Sequence, residues 1–183
     1  MVGDDIILKY DLTSGIYDEL YRDEQFGKYR FLFFEKNLGV RNRILDIGCG
    51  TGLLMDFLKE NGIDKYATYI CLEPSRRMLK YAVGKNRDDQ RIVFINAYCE
   101  DKLFLHNYFD QIFMITVLDA VHDKIKCLHN AVDYLKIGGQ LIVSLIPKAV
   151  NKITLSGLLS QQNIRIQYLG EHIDVFYLLT KHS

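Results

Sequence analysis

Three glycines at alternate positions, Gly48, Gly50 and Gly52, follow the short apolar run Ile44-Leu45-Asp46-Ile47, and no other stretch constrains the fold as much. The run lacks period-2 alternation, as expected of a strand covered on both faces by helices. Glycines allow positive φ and carry no Cβ, so backbone amides can approach a ligand at the N-terminus of the helix that follows. A plain strand-to-helix turn needs one glycine rather than three. Asp46, just ahead of them, places a carboxylate beside such a ligand.

From this turn onward, apolar runs and helical spacings alternate. Leu53, Leu54, Phe57 and Leu58 recur at helical spacing, and Asn61-Gly62 ends that helix. Ala67 to Glu73 is a second buried strand; Pro74 suits the first turn of the next helix, to which Met78, Leu79, Ala82 and Val83 give an apolar face. Arg91 to Tyr98 and Phe109 to Leu118 make strands three and four. A helix from about Asp123 turns Ile125, Leu128, Val132 and Leu135 inward and is closed by Gly138-Gly139; Leu141 to Ile146 make strand five, stopped by Pro147. A short helix is predicted around Ile153 to Gln161. Ile164 to Leu169 and Ile173 to Thr180 are joined by too few residues for a parallel crossover, so they must form an antiparallel hairpin. With no repeat, low-complexity stretch or linker, the 183 residues read as one domain.

The segment 1–40 precedes the first strand and is rich in tyrosine and phenylalanine. From Gly15 to Leu38 it fits helical pieces, with a break near Gly27. Such a segment either packs as aromatic core or lies as a lid across the ligand; Tyr17, Asp18 and Tyr21 speak for the lid.

Charge and cysteine content narrow the class. Lysine plus arginine and aspartate plus glutamate number 23 each, so no global basic field recruits nucleic acid or an anionic membrane. No apolar run approaches the length of a membrane span, and the N-terminus does not read as a signal peptide. Cys49, Cys71, Cys99 and Cys127 form no C-x-x-C pair, which argues against zinc and against a disulfide framework; reduced thiols in a cytoplasmic protein are the simple reading.

The spacing Gly-x-Gly-x-Gly differs from the dinucleotide fingerprint Gly-x-Gly-x-x-Gly, whose third glycine is replaced here by Leu53. Asp46-Ile47-Gly48-Cys49-Gly50-Thr51-Gly52 resembles instead the signature of class I S-adenosylmethionine-dependent methyltransferases. Leu72-Glu73-Pro74-Ser75-Arg76-Arg77-Met78-Leu79 is similar to that family's second motif. The resemblance implies that Glu73 accepts both ribose hydroxyls and that Pro74 and Met78 contact the adenine; the alternative for Glu73 is a helix cap. Ala97-Tyr98-Cys99-Glu100-Asp101 stands where the family has Gly-Asp-Ala-Glu-Asp, with Tyr98 in place of the usual acid, so backbone at Cys99 or the Glu100 side chain would supply the adenine contact. Phe109-Asp110 and Leu135-Lys136-Ile137-Gly138-Gly139 also follow family habit. The implied fold is α/β, a single Rossmann-like domain with a seven-stranded, mostly parallel sheet, an antiparallel C-terminal strand and helices on both faces; 41–183 forms the core and 1–40 a helical lid or acceptor segment.

The implied reaction is in-line methyl transfer from S-adenosylmethionine, leaving S-adenosylhomocysteine. Orienting two reactants supplies about 7–11 kcal/mol of a barrier, and a general base is needed only for an acceptor protonated at neutral pH. The methyl group is expected near Met114, Ile115 and Thr116, followed by Asp119 and His122. His122 is either a base or a partly exposed helix-end histidine; Asp119 is either a base or acceptor orienter, or a helix cap. Asn-Pro-Pro-Tyr is absent from the strand-four end, which disfavours adenine-amine and glutamine acceptors. The acceptor is thus a small molecule, or a macromolecule presented by a partner. Strand three, at a sheet edge in this family, is uncharged from Ile92 to Ala97 and is open to a protein partner, a second copy or the N-terminal segment. Two other readings stay open: a non-catalytic nucleoside-binding subunit, suggested by Tyr98 and Asp119-Ala120, and a nicotinamide-dependent oxidoreductase, disfavoured by Leu53 and the hairpin.

Overall fold

Apolar residues that point to both faces of each central strand require helices above and below the sheet, and the chain supplies them. In this computed structural model, which describes residues 2–150, 155 and 163–183, the strands are β1 (Arg43–Ile47), β2 (Thr68–Leu72), β3 (Ile92–Ile95), β4 (Phe109–Met114), β5 (Leu135–Leu145), β6 (Ile164–Glu171) and β7 (Val175–Lys181). They form one seven-stranded sheet in the order β3-β2-β1-β4-β5-β7-β6. The β1–β2, β2–β3, β1–β4 and β4–β5 pairs are parallel, whereas β5–β7 and β6–β7 are antiparallel. The hairpin and the edge position of β3 are as expected, and Val93 on β3 is exposed.

Helices α1 (Val2–Thr13), α2 (Tyr17–Arg30), α3 (Leu53–Glu60), α4 (Arg76–Asn86) and α5 (Lys124–Tyr134) cover the faces, together with a π-helical turn, Phe31–Glu35. Alternate residues of β1 separate two cores. Leu45 and Ile47 pack with Ile112, Met114, Leu128 and Val132 on one face, while Ile44 packs with Phe57, Leu58, Leu79 and Phe113 on the other. The N-terminal aromatics belong to the second core: Phe26, Tyr29 and Phe33 surround Phe57 with ring centroids 5.2, 5.5 and 5.9 Å away.

Four local expectations are corrected. The helical break falls between Thr13 and Tyr17, and α2 runs straight through Gly27. Gly27 is a close-packing residue, since a Cβ there would stand 3.2 Å from His172 of the hairpin turn. Pro74 precedes the Ser75 N-cap of α4, whose hydroxyl accepts from Met78 N at 3.1 Å. Gly138-Gly139 do not close α5; they lie inside β5, where a register shift places Leu135 opposite Phe109 and Gln140 opposite Gln111. Ile125 and Val83 face solvent rather than core, while Leu128, Val132 and Leu135 are buried. The helix expected around Ile153 to Gln161 lies outside the described residues apart from Leu155.

Candidate functional site

Where β1, β2 and β4 end at their carboxyl edges, the loops diverge and leave a cleft of about 960 Å³, counting its open mouth. Open α/β sheets bind ligands in that position. One wall is the glycine turn. Gly48, Gly50 and Gly52 all adopt left-handed φ, at 70°, 55° and 86°. A side chain at Gly48 would drive its Cβ to 2.6 Å from Val117 Cγ2, whereas a Cβ at Gly50 would meet only the tip of Met78, at 3.9 Å. Gly48, Cys49 and Gly50 line the cleft; Gly52 lies outside the lining, as the left-handed N-cap of α3.

Glu73, at the end of β2, is buried on this wall. Its carboxylate accepts from Gly50 N at 2.9 Å and from Ser75 N at 2.8 Å. Burial pushes its pKa up to about 7 against the pull of these two amides. Ser75 caps α4, so Glu73 is not the cap. Pro74 and Met78 continue the wall, and Tyr98, Cys99 and Glu100 line the far end. Glu100 Oε1 also accepts from the backbone of His122, at 2.9 Å, and Asp123, at 3.2 Å, holding the post-β4 loop in place. His122 lines the cleft with its ring 6.1 Å from that of Tyr98.

Met114, buried in the core, lies outside the cleft lining, and so do Asp46, Asp119 and Tyr21. Asp46 is buried behind the turn, accepts from Tyr69 Oη at 2.6 Å, and burial raises its pKa to about 7. Asp119 is not the cap, since the N-cap of α5 is Asp123; it stands 3.7 Å from Lys124. Tyr21 only supports Tyr17, with centroids 4.8 Å apart. Tyr17 and Thr116 do line the cleft.

The cysteines correct the sequence reading outright. Cys49 pairs with Cys71 and Cys99 with Cys127, with Cα atoms 5.5 and 5.2 Å apart. The first bridge ties the glycine turn to β2, and the second ties the loop after β3 to α5. Their sequence separations, 22 and 28 residues, carry no local signature. The case for a cytoplasmic location from unpaired thiols falls with this pairing. Among the described residues no helix is long and apolar enough to cross a membrane, and no cluster of metal-binding side chains occurs.

The N-terminal segment contributes Ile7, Tyr10, Gln25 and Tyr29, none of which the motifs had singled out. Asp11 accepts from Ser75 Oγ, and Asp18 accepts from Thr51 Oγ1 and pairs with Lys85, fastening α1 and α2 beside the mouth. Gln25 is buried, faces the cleft, and its side-chain amide has no hydrogen-bond partner among the described residues. At the opposite wall, Thr116 leaves β4 with φ 59°, a conformation costing a β-branched residue of order 1–3 kcal/mol. The surrounding side chains hold it there: Thr116 N donates to Ser144 Oγ at 2.7 Å, and Thr116 Oγ1 donates to Asp174 at 2.8 Å.

The turn, the buried Glu73 carboxylate and the cleft suit a nucleoside carrying a polar tail. Residues 45–143 match the family model described as a methyltransferase domain. Over 121 residues the chain is 30% identical to the ubiquinone biosynthesis O-methyltransferase of Coxiella burnetii, covering 64% of this chain and 49% of that protein. Over 149 residues it is 28% identical to the ubiquinone/menaquinone biosynthesis C-methyltransferase of Wigglesworthia glossinidia brevipalpis, covering 78% and 56%. The chain thus spans about half the length of the curated relatives it matches. In fold it is similar to a Methanococcus maripaludis structure described as a candidate S-adenosyl-L-methionine-dependent methyltransferase, at TM-score 0.74 and 15% identity, covering 97% and 94% of the two chains.

Proposed function

This chain belongs to the methyltransferase domain family, whose methyl donor is S-adenosylmethionine, and we propose on that premise that it methylates a small, neutral, aromatic acceptor. The observation that carries the reading is Glu73, a buried carboxylate aimed into a cleft floored by left-handed glycines. The residues present fit the donor. Glu73 would accept the ribose hydroxyls, Pro74 and Met78 would pack on the adenine, and the Gly48-to-Gly50 backbone would follow the tail. When bound, the donor supplies an electrophilic methyl group on a sulfonium.

This chain's own part is binding, orientation and exclusion of water. Tyr10, Tyr17 and Tyr29 offer aromatic faces to a planar acceptor, and among the described residues no lysine or arginine lines the cleft, which disfavours an anionic one. His122, which lines the cleft, would take a proton from an acceptor hydroxyl. The names of the Coxiella and Wigglesworthia relatives support an aromatic acceptor of the quinone-precursor class.

Calorimetry with S-adenosylmethionine and S-adenosylhomocysteine tests the donor, and a screen of phenols and catechols with labelled methyl donor tests the acceptor. Binding of either nucleoside with label on a phenolic oxygen is the expected result. Absence of nucleoside binding overturns the donor reading, and label confined to protein or RNA overturns the acceptor class.

A further inference from the structure

Behind the wall at Thr116 lies a polar knot that the methyl-transfer reading does not use. Lys28, on α2, is 1% exposed and does not line the cleft. Its ammonium donates to Thr116 Oγ1 at 3.0 Å and pairs with Asp174 at 3.2 Å and Glu24 at 2.9 Å. Asp174, just ahead of β7, is equally buried and accepts from both Ser144 Oγ, at 2.6 Å, and Thr116 Oγ1. Side chains from α2, β5 and the hairpin turn therefore converge on one residue, and among the described residues it is the non-glycine position in the cleft lining with a left-handed φ.

A buried ion pair is a poor device for stability, because desolvation offsets most of its attraction and apolar packing would serve as well. What it does supply is geometry. The Thr116 hydroxyl donates to Asp174 and accepts from Lys28, and its backbone N–H is taken by Ser144, so the strained φ is fixed from three directions. Thr116 and Ile115 form the cleft wall where the chain leaves β4.

We infer that Lys28 is a positioning residue for the donor site, acting through Thr116 to hold the strand-four end in its left-handed conformation. The inference rests on the donor reading above. Because Lys28 belongs to α2, it also makes correct docking of the N-terminal helix a condition for a correctly shaped wall.

The test is a double-mutant cycle read by calorimetry with S-adenosylhomocysteine, with far-UV circular dichroism to verify folding. Lys28→Met is expected to weaken binding about tenfold, the scale of the strain it releases. Thr116→Gly, which adopts a left-handed φ without support, is the reference background, and the cycle reads only the change that Lys28→Met makes within it. In the Thr116→Gly background, Lys28→Met should then cost nothing further; a role in general packing would be felt equally in both backgrounds. Equal losses in the two backgrounds, no loss from Lys28→Met in the otherwise wild-type protein, or loss of all measurable binding in Thr116→Gly, which would make the contact of Thr116 itself decisive, each overturn the role. If Lys28→Met unfolds by stranding Asp174, the neutral pair Lys28→Met/Asp174→Asn is read the same way, and failure of both to fold assigns the knot to fold support only. A wild-type protein that does not bind the nucleoside overturns the donor reading itself, a distinct result.

Discussion

The two walls of the cleft are built differently. The wall at the glycine turn comes from short contiguous stretches, residues 48–50 and 73–78, and its shape depends on backbone: left-handed glycines, two amides on Glu73, and a bridge from Cys49 to Cys71. The wall at Thr116 depends on side chains of residues 28, 144 and 174, which meet only in the folded chain. A wall made by backbone tolerates side-chain change wherever no Cβ is forbidden, whereas a wall made by a buried polar knot depends on each partner.

The largest expected effect comes from reduction. Closing loops of 22 and 28 residues, the two bridges contribute about 3 kcal/mol each in the chain-entropy account. Dithiothreitol should therefore lower the urea midpoint steeply, and intact mass under non-reducing conditions should show four hydrogens fewer than the reduced chain; a full complement of thiols would break the glycine-turn half of the comparison. Next comes Gly48→Ala. With φ at 70° and Val117 in the way, left-handed strain and overpacking together cost of order 2–5 kcal/mol, read as a lower urea midpoint. An unchanged midpoint would show that the turn has slack.

Glu73→Ala should weaken S-adenosylhomocysteine about a hundredfold with the fold intact, since two hydrogen bonds to a charged acceptor are lost. Because burial raises Glu73 to about 7 and its ionised form is the acceptor, affinity should rise roughly tenfold from pH 6 to pH 8 and stay flat in Glu73→Gln. A flat wild-type profile would remove Glu73 from the ribose site. The smallest effect on binding is expected at Asp46→Asn, within about threefold, because Asp46 faces Tyr69 rather than the cleft. Its signature is in stability. A carboxyl raised from 3.8 to about 7 binds its proton more tightly when folded, so the wild type loses stability as pH rises from about 4 to about 7 and is level above; the variant should flatten that slope.

Much of this architecture was legible because it is local. Three glycines after an apolar run specify a turn, Glu73 sits a fixed distance along the second strand, and too short a link forces the final hairpin. Asp123 was readable as the start of α5 for the same reason. What escaped depends on the fold. Glu24 and Lys28 at i, i+4 look like a solvated helix face, yet Lys28 is buried because the hairpin turn brings Asp174 against it. The cysteines pair across distances that only the sheet order brings together, and Gly138-Gly139 look like a helix stop until β5 is seen to take up the extra residues opposite Phe109 and Gln111. Asp46 matched a motif, but the motif did not say which way its side chain turns.

The knot at Lys28 also sets a clock. It joins α2, the end of β4, β5 and the start of β7, so none of these can open without stranding a buried charge. In hydrogen-deuterium exchange they should behave as one cooperative unit. Amides of α2 should then be released on the timescale of β5 and β7, while those of α1 exchange earlier.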